Sequence, residues 1–212
     1  MLTIWLNYMV NKIKNDTAKE RILTAAKKVF LAKGMAGARM QDIADEAGIN
    51  KALLHYYFRN KEKLFETIFK EASGQFFPKI TDIIDSDIPL FQKIERFCSE
   101  YINMMQLNAY LPLFVLNEVT KEPKRFKEKI LRNRELPFSK FVVQIEIEIK
   151  NKKIKPVNPG HLFLNMLSLC IFPFIAKPMW MLASGMDEFH FNFAMEQRKT
   201  EVPKLIIESI KK

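Results

Sequence analysis

Lys51, His55 and Tyr56 lie close together, three residues past a lone glycine, Gly48. They fall on the outer side of the second of two short helices that the glycine separates. Residues 38–61 (Ala-Arg-Met-Gln-Asp-Ile-Ala-Asp-Glu-Ala-Gly-Ile-Asn-Lys-Ala-Leu-Leu-His-Tyr-Tyr-Phe-Arg-Asn-Lys) spell this helix-turn-helix, a device for laying one helix in the major groove of duplex DNA. An ammonium at Lys51 can donate to guanine O6 or N7, and an amide at Gln41 can pair with adenine N6 and N7. Lys61 opens the next helix, where a phosphate also meets free backbone N–H groups. Each residue has a plainer reading. Leu54, Tyr57 and Phe58 suit a core, Lys51 and Arg59 could be solvated charges, and His55 could be idle. Gathered on one face after a glycine turn, the polar groups favour the duplex.

The elements that must hold these groups are helices. Thr17-Ala-Lys-Glu20 is a capping box and predicts the start of the first helix. Ile22, Leu23, Ala26, Val29 and Phe30 recur at helical spacing, and Gly34 is expected to end the helix as a left-handed cap. A second helix is expected over about residues 40–47, with Met40, Ile43, Ala44 and Ala47 inward. Gly48 makes the turn, since a residue without Cβ accepts positive φ cheaply. Asn50 is the expected N-cap of a third helix, 51–57, and Asn60 that of a fourth with Leu64, Phe65, Ile68, Ala72 and Phe76 inward.

All ten prolines fall from Pro78 to Pro203, so they divide a compact N-terminal part from a set of proline-punctuated helices. Those helices are predicted at about 88–107, 108–119, 123–132, 136–152, 159–183 and 187–211. Pro137 and Pro159 sit near helix starts, where a missing N–H costs nothing. Pro173, Pro178 and Pro203 should kink or split their helices. Val142–Ile149 is the one stretch resembling a strand, and it lies inside a longer helical pattern. The basic run Lys150–Lys155 reads as a solvated loop.

The segment with Ile43-Ala44, Ala47-Gly48, Lys51, Leu54, Tyr57-Phe58, Lys61 and then Leu64 resembles the TetR family of transcriptional regulators, over roughly residues 17–70. His161–Met179, with Ser-Leu-Cys-Ile-Phe-Pro-Phe, is similar more weakly to the penultimate region of some members. The resemblance implies an all-α chain with a three- or four-helix DNA-binding bundle and a larger C-terminal helical domain for ligand binding and dimerisation. Position by position, it implies that Gln41 reaches a base edge and that Lys51, Ala52 and His55 face the groove. Tyr56, Tyr57 and Lys61 would hold phosphates, and Arg39 and Asn50 complete the DNA-binding set. Four positions depart from the family: Arg39 stands for Thr, Ala52 for Gly, Leu53 for Thr and His55 for Tyr. Leu53 cannot donate to a phosphate, so that contact is lost or becomes an apolar touch on a thymine methyl. Arg39 can compensate with a charged phosphate contact.

Composition agrees with this reading. The chain has 212 residues, 48% of them hydrophobic, and a formal net charge of +10. That length buries a proper core, and the charge suits a polyanion. Residues 11–70 hold 13 Lys/Arg against 7 Asp/Glu, so the basic excess gathers around the motif. Cys98 and Cys170 lie in apolar stretches and read as buried thiols of a reducing compartment, the cytoplasm. The start lacks a basic leader and a small-residue cleavage site, so no signal peptide is expected. His55, His161 and His190 show no metal spacing, and no cofactor is expected.

The expected division is an N-terminal extension at 1–15, for which disorder is one expectation, a DNA-binding domain at 16–77 with its helix-turn-helix at about 39–58, and an effector and dimerisation domain at 78–212. Phe97, Met104, Met105, Tyr110, Phe114, Phe163 and Met166 are candidates for an adaptable apolar pocket taking a small hydrophobic effector. Phe172, Phe174, Met181, Ile206 and position 209 are candidates for a homodimer interface; the residue there is Ser209, not the isoleucine an apolar stripe would place. A dimer would read two half-sites of a palindromic operator about one helical turn apart, roughly 34 Å. The expected function is thus a ligand-released repressor. Two rivals remain: a membrane-associated helical protein through 162–183, and an all-helical enzyme. A spanning helix needs about 20 residues without a central lysine and two prolines. No nucleophile-base grouping or phosphate-cradling loop supports an enzyme.

Overall fold

The computed structural model describes residues 2–109, 111–121, 123–125, 128 and 138–212. The described residues are helical with no strand; one isolated bridge joins Ile154 and Lys211. The helices are α1 (Leu2–Gly37), α2 (Met40–Glu46), α3 (Lys51–Tyr57), α4 (Lys61–Asp85), α5 (Leu90–Leu107), α6 (Leu111–Lys121), α7 (Pro123–Arg125), α8 (Phe138–Lys150), α9 (Pro159–Ile175), α10 (Lys177–Ser184) and α11 (Glu188–Ile210). They fall into two compact units, Met1–Ala72 and Ser73–Lys212, parted within α4.

In the first unit, Ile22, Ala26 and Phe30 of α1 join Ile43 and Ala44 of α2, Leu54 of α3 and Leu64, Phe65 and Ile68 of α4 in the core. Phe30 and Phe65 meet edge to face with centroids 5.5 Å apart. The expected inner stripes are present through Ile68, with Met40 and Ala72 half-buried and the side chain of Phe76 outside those described, but the first helix is longer than predicted. It runs from Leu2, with Thr17 in its interior. No glycine or proline precedes Gly34, so nothing interrupts helix propagation upstream of the capping box. Gly34 has positive φ (65°), as expected, but its ψ of 172° is not that of a left-handed cap. The chain kinks there and resumes helix to Gly37. That conformation is open essentially to glycine alone.

In the second unit, α5 packs against α9 and α11. Its buried face (Leu90, Ile94, Phe97, Cys98, Ile102, Met105) shares a core with Phe141 and Ile145 of α8, Leu162, Met166, Cys170 and Phe174 of α9, and Phe191, Met195, Val202, Ile206 and Ile210 of α11. Both cysteines are buried free thiols. Pro78 does not end α4, which continues to Asp85; one missing N–H removes a single bond from a long helix. Predicted helix 159–183 is two helices, α9 and α10, bent by 66° at Ala176. Pro178 takes the first turn of α10, where its ring is tolerated. Pro203 is buried inside α11 without dividing it. Most of predicted helix 123–132, and the start of predicted 136–152 with Pro137, lie outside the described residues. Lys150–Lys155 is not simply a solvated loop. Ile154 is buried, and the Lys155 N–H donates to the Ile210 carbonyl at 2.7 Å.

Three side chains hold the turn after α4. Lys93 of α5 donates from Nζ to the Ile84 carbonyl at 2.8 Å. Lys140 and Gln144 of α8 donate to the carbonyls of Asp85 and Ile88, at 3.2 and 2.8 Å. The Ile84 and Asp85 carbonyls are among those that the end of α4 leaves without intrahelical partners, and the Ile88 carbonyl belongs to the loop that follows. Lys93 is only 2% exposed. Burial pulls its ammonium below the ordinary lysine range, against Asp87 and Asp85, which hold it up.

Candidate nucleic-acid interface

The turn between α2 and α3 is built by backbone hydrogen bonds. The Gly48 N–H donates to Asp45 O at 3.1 Å and the Ile49 N–H to Ala44 O at 3.0 Å. Gly48 has φ 63°, the positive value expected of it. Asn50 caps α3, its Oδ1 accepting from the Leu53 N–H at 2.8 Å. At the start of α2, the Asp42 carboxylate accepts the Arg39 N–H at 3.1 Å and pairs with Lys33 of α1 at 3.0 Å. Those contacts, the Lys33 ammonium first, hold Asp42 below the ordinary carboxylate range.

Leu54 is 0% exposed and anchors α3 to the core, while Phe58, just past its end, is buried too. With that side inward, Lys51, Ala52, His55 and Tyr56 are exposed, Tyr56 at 79%. Lys51 and His55 are four residues apart, so they stand one above the other on the helix. Arg39, Gln41 and Asn50 are exposed as well; Leu53 and Tyr57 are half-buried. Tyr56 and Tyr57 meet edge to face at 5.4 Å. Gln41 Nε2 donates to Asp45 Oδ1 at 2.7 Å, and His55 Nδ1 lies 3.0 Å from the Arg59 carbonyl.

Lys61 has a role that its position in the sequence does not announce. Its Nζ donates to the Ala38 carbonyl at 3.0 Å, tying the start of α4 to the link between α1 and α2. The partner is 23 residues away, and no local pattern marks such a pair.

The residues offered as an effector pocket sit in the core of the second unit. Phe97, Met105 and Met166 are buried, and Met104 and Phe163 are half-buried. Phe163 is the centre of an aromatic group, with Phe138, Phe97 and Phe141 at centroid distances of 5.3, 5.6 and 6.0 Å. Tyr110 and the side chain of Phe114 lie outside the described residues. Of the self-association candidates, Phe172 is 59% exposed and Met181 half-buried, but Phe174 and Ile206 are 3% exposed. The helical period turns those two into their own core. Ser209 bonds from Oγ to the Ile206 carbonyl at 2.7 Å, and the apolar position is taken by the buried Ile210.

A helix anchored by one apolar side, set off by a glycine turn and presenting lysine and histidine outward defines the helix-turn-helix class of DNA-binding proteins. Comparison with known proteins agrees. Residues 22–68 match the family model for bacterial regulatory proteins of the tetR family. The chain is 27% identical over 201 residues to the HTH-type transcriptional regulator RutR of Escherichia coli K12, covering 91% of this chain and 90% of that one. Among solved structures, a linker-substituted mutant of HlyIIR superposes with a TM-score of 0.64 at 22% identity, over 92% of this chain and 98% of that one. FadR from Bacillus subtilis, in complex with stearoyl-CoA, superposes with a TM-score of 0.59 at 17% identity, over 89% and 97%. Residues 22–68 therefore carry a tetR-family DNA-binding module, the relatives found over most of the chain are transcriptional regulators, and this chain is a DNA-binding regulator. The membrane alternative is not favoured. No single described helix is long and apolar enough to cross a membrane, and the α9–α10 pair, which has the length and composition only when taken together, is bent by 66°.

Proposed function

We propose that the protein is a ligand-released repressor that binds a palindromic operator as a homodimer, reading bases with Lys51, Ala52, His55 and Gln41 and holding phosphates with Arg39, Tyr56, Tyr57 and Lys61. Asn50 positions these groups by capping α3. The observation that carries the reading is α3 itself: Leu54 is buried while Lys51 and His55, one turn apart, are exposed. Selection of bound duplexes from a random pool tests it, and an inverted repeat is the expected product. A pool without any enriched duplex overturns it.

Lys51→Ala is expected to relax preference at one base pair per half-site by about 1–3 kcal/mol. Unchanged preference in the selected pool would remove Lys51 from the base-reading set. Lys61→Ala is expected instead to weaken all duplexes alike and to lower the salt slope by about 1. Binding titrations across a salt series separate the two outcomes.

Self-association is proposed through α9 and α11. Leu164 and Phe172, eight residues apart on α9, and Phe189 and Phe193, four apart on α11, are exposed apolar pairs, each on one side of its helix. Sedimentation of the pure protein as a monomer at micromolar concentration would count against this. The effector is proposed to be small and hydrophobic, bound near the Phe163 aromatic group. FadR, with the same fold, holds stearoyl-CoA, a ligand with a long apolar chain. A coupling of about 1–3 kcal/mol between effector and DNA would change affinity several-fold to a hundredfold. The absence of any thermal shift with long-chain acyl compounds would argue against that ligand class.

A further inference from the structure

On α3, the His55 ring is held by its own chain. Its Nδ1 lies 3.0 Å from the Arg59 carbonyl oxygen. A carbonyl only accepts, so Nδ1 carries the hydrogen, and in the neutral ring Nε2 is left with a lone pair and no proton. The geometry of the contact follows from the end of α3. Phe58 leaves the helix with φ −138° and ψ 106°, and the carbonyl of the next residue comes within reach of a side chain one turn back. The ring is exposed, four residues beyond the exposed Lys51.

We infer that His55 reads a base bearing an exocyclic amine, adenine at N6 or cytosine at N4, by accepting its hydrogen at Nε2. The inference rests on the DNA reading above and deepens it. In the major groove, adenine and cytosine present amine donors, whereas guanine O6 and N7 and thymine O4 are acceptors only. A lone pair pointed at the latter two is repelled. Lys51, with donors only, favours the opposite set. One recognition helix therefore carries an acceptor and a donor one turn apart, and since every base pair has its amine on one strand only, His55 should fix which strand carries the amine at its position. The tyrosine that the family usually has at this position donates as readily as it accepts, so the acceptor bias belongs to this chain's histidine.

The test is duplex selection at about pH 8, where imidazoles are largely neutral, with the full-length protein and its His55→Lys variant in parallel. The lysine keeps an exposed side chain but offers only donors. For the wild type, adenine or cytosine is expected at one position per half-site, favoured about five- to tenfold. On that same strand the variant is expected to select guanine or thymine instead. Two-bond nitrogen–proton spectra of the three histidines supply an independent readout: the signal lost in His55→Lys should be that of an Nδ1–H tautomer. An Nε2–H tautomer overturns the inference. So does an enriched site with no position at which the two proteins select opposite classes of base on the same strand. In those cases the DNA reading survives; a pool in which neither protein enriches any duplex sinks both.

Discussion

Replacing Phe65 with alanine is expected to destabilise the first unit by about 3–5 kcal/mol and to abolish duplex binding in the full chain. Phe65 is fully buried at the start of α4 and meets Phe30 of α1 edge to face at 5.5 Å. Deleting the ring leaves a cavity beside Phe30 and Phe69, in a unit whose Ile22, Ile43, Leu54, Leu64 and Ile68 are also fully buried. A typical domain is stable by only about 5–15 kcal/mol. A loss of that size in a unit this small removes much of the margin that keeps α3 seated. Binding is lost because Leu54, the anchor of α3, no longer has a formed core to sit in, although no DNA-facing group has changed. Phe65→Leu, which refills most of the space, should recover most of the stability and the binding. Denaturant unfolding with parallel binding titrations decides the matter. Duplex affinity unchanged in Phe65→Ala would mean that the recognition helix does not depend on this core.

Lys93 carries the second large effect. Its stem lies in the core of the second unit and its ammonium meets the Ile84 carbonyl at 2.8 Å. Lys93→Ala loses the packed stem and leaves that carbonyl without its donor, together about 2–4 kcal/mol. Lys93→Met keeps the stem and removes the buried charge, whose desolvation opposes folding, so it should recover at least half of the loss. The pH dependence separates charge from packing. The folded chain binds the Lys93 proton less tightly than an unfolded one, because burial lowers its pKa. Unfolding then takes up a proton between that lowered value and the ordinary lysine range. Stability from this group therefore rises with pH across the window, and falls back as pH drops through the folded value. Urea unfolding across alkaline pH should show the rise in the wild type and lose it in Lys93→Met. The same slope in both proteins would assign it to another group.

Much of the DNA-facing module was legible in the sequence because its determinants are local. Gly48 needs positive φ, Asn50 caps from three residues away, and the apolar residues of α1, α2 and α4 follow a helical period. Each is a rule about neighbours within one or two turns. The same kind of rule failed when it named a boundary. The capping box at Thr17 predicted a start, but a helix begins where no upstream residue continues it, and nothing upstream of Thr17 breaks the chain. Pro78 marks where the prolines begin, yet α4 runs through it with the loss of one hydrogen bond. Phe174 and Ile206 lie on apolar helices near the C-terminus, a pattern that suits a partner surface as well as a core; which side of a helix faces inward is settled by its neighbours in space.

The amino-acid sequence alone determined the helical class, the helix-turn-helix and which residues of α3 point outward, since periodicity and capping act over a few residues. Tertiary structure alone decided that Lys93, Lys140 and Gln144 converge on the turn after α4, that Lys61 holds the Ala38 carbonyl, and that Ile154 pairs with the end of α11. Their partners lie between 9 and 57 residues away along the chain. A hydrogen bond or buried contact over such separations depends on where whole helices are packed, and no spacing of residue types encodes it locally.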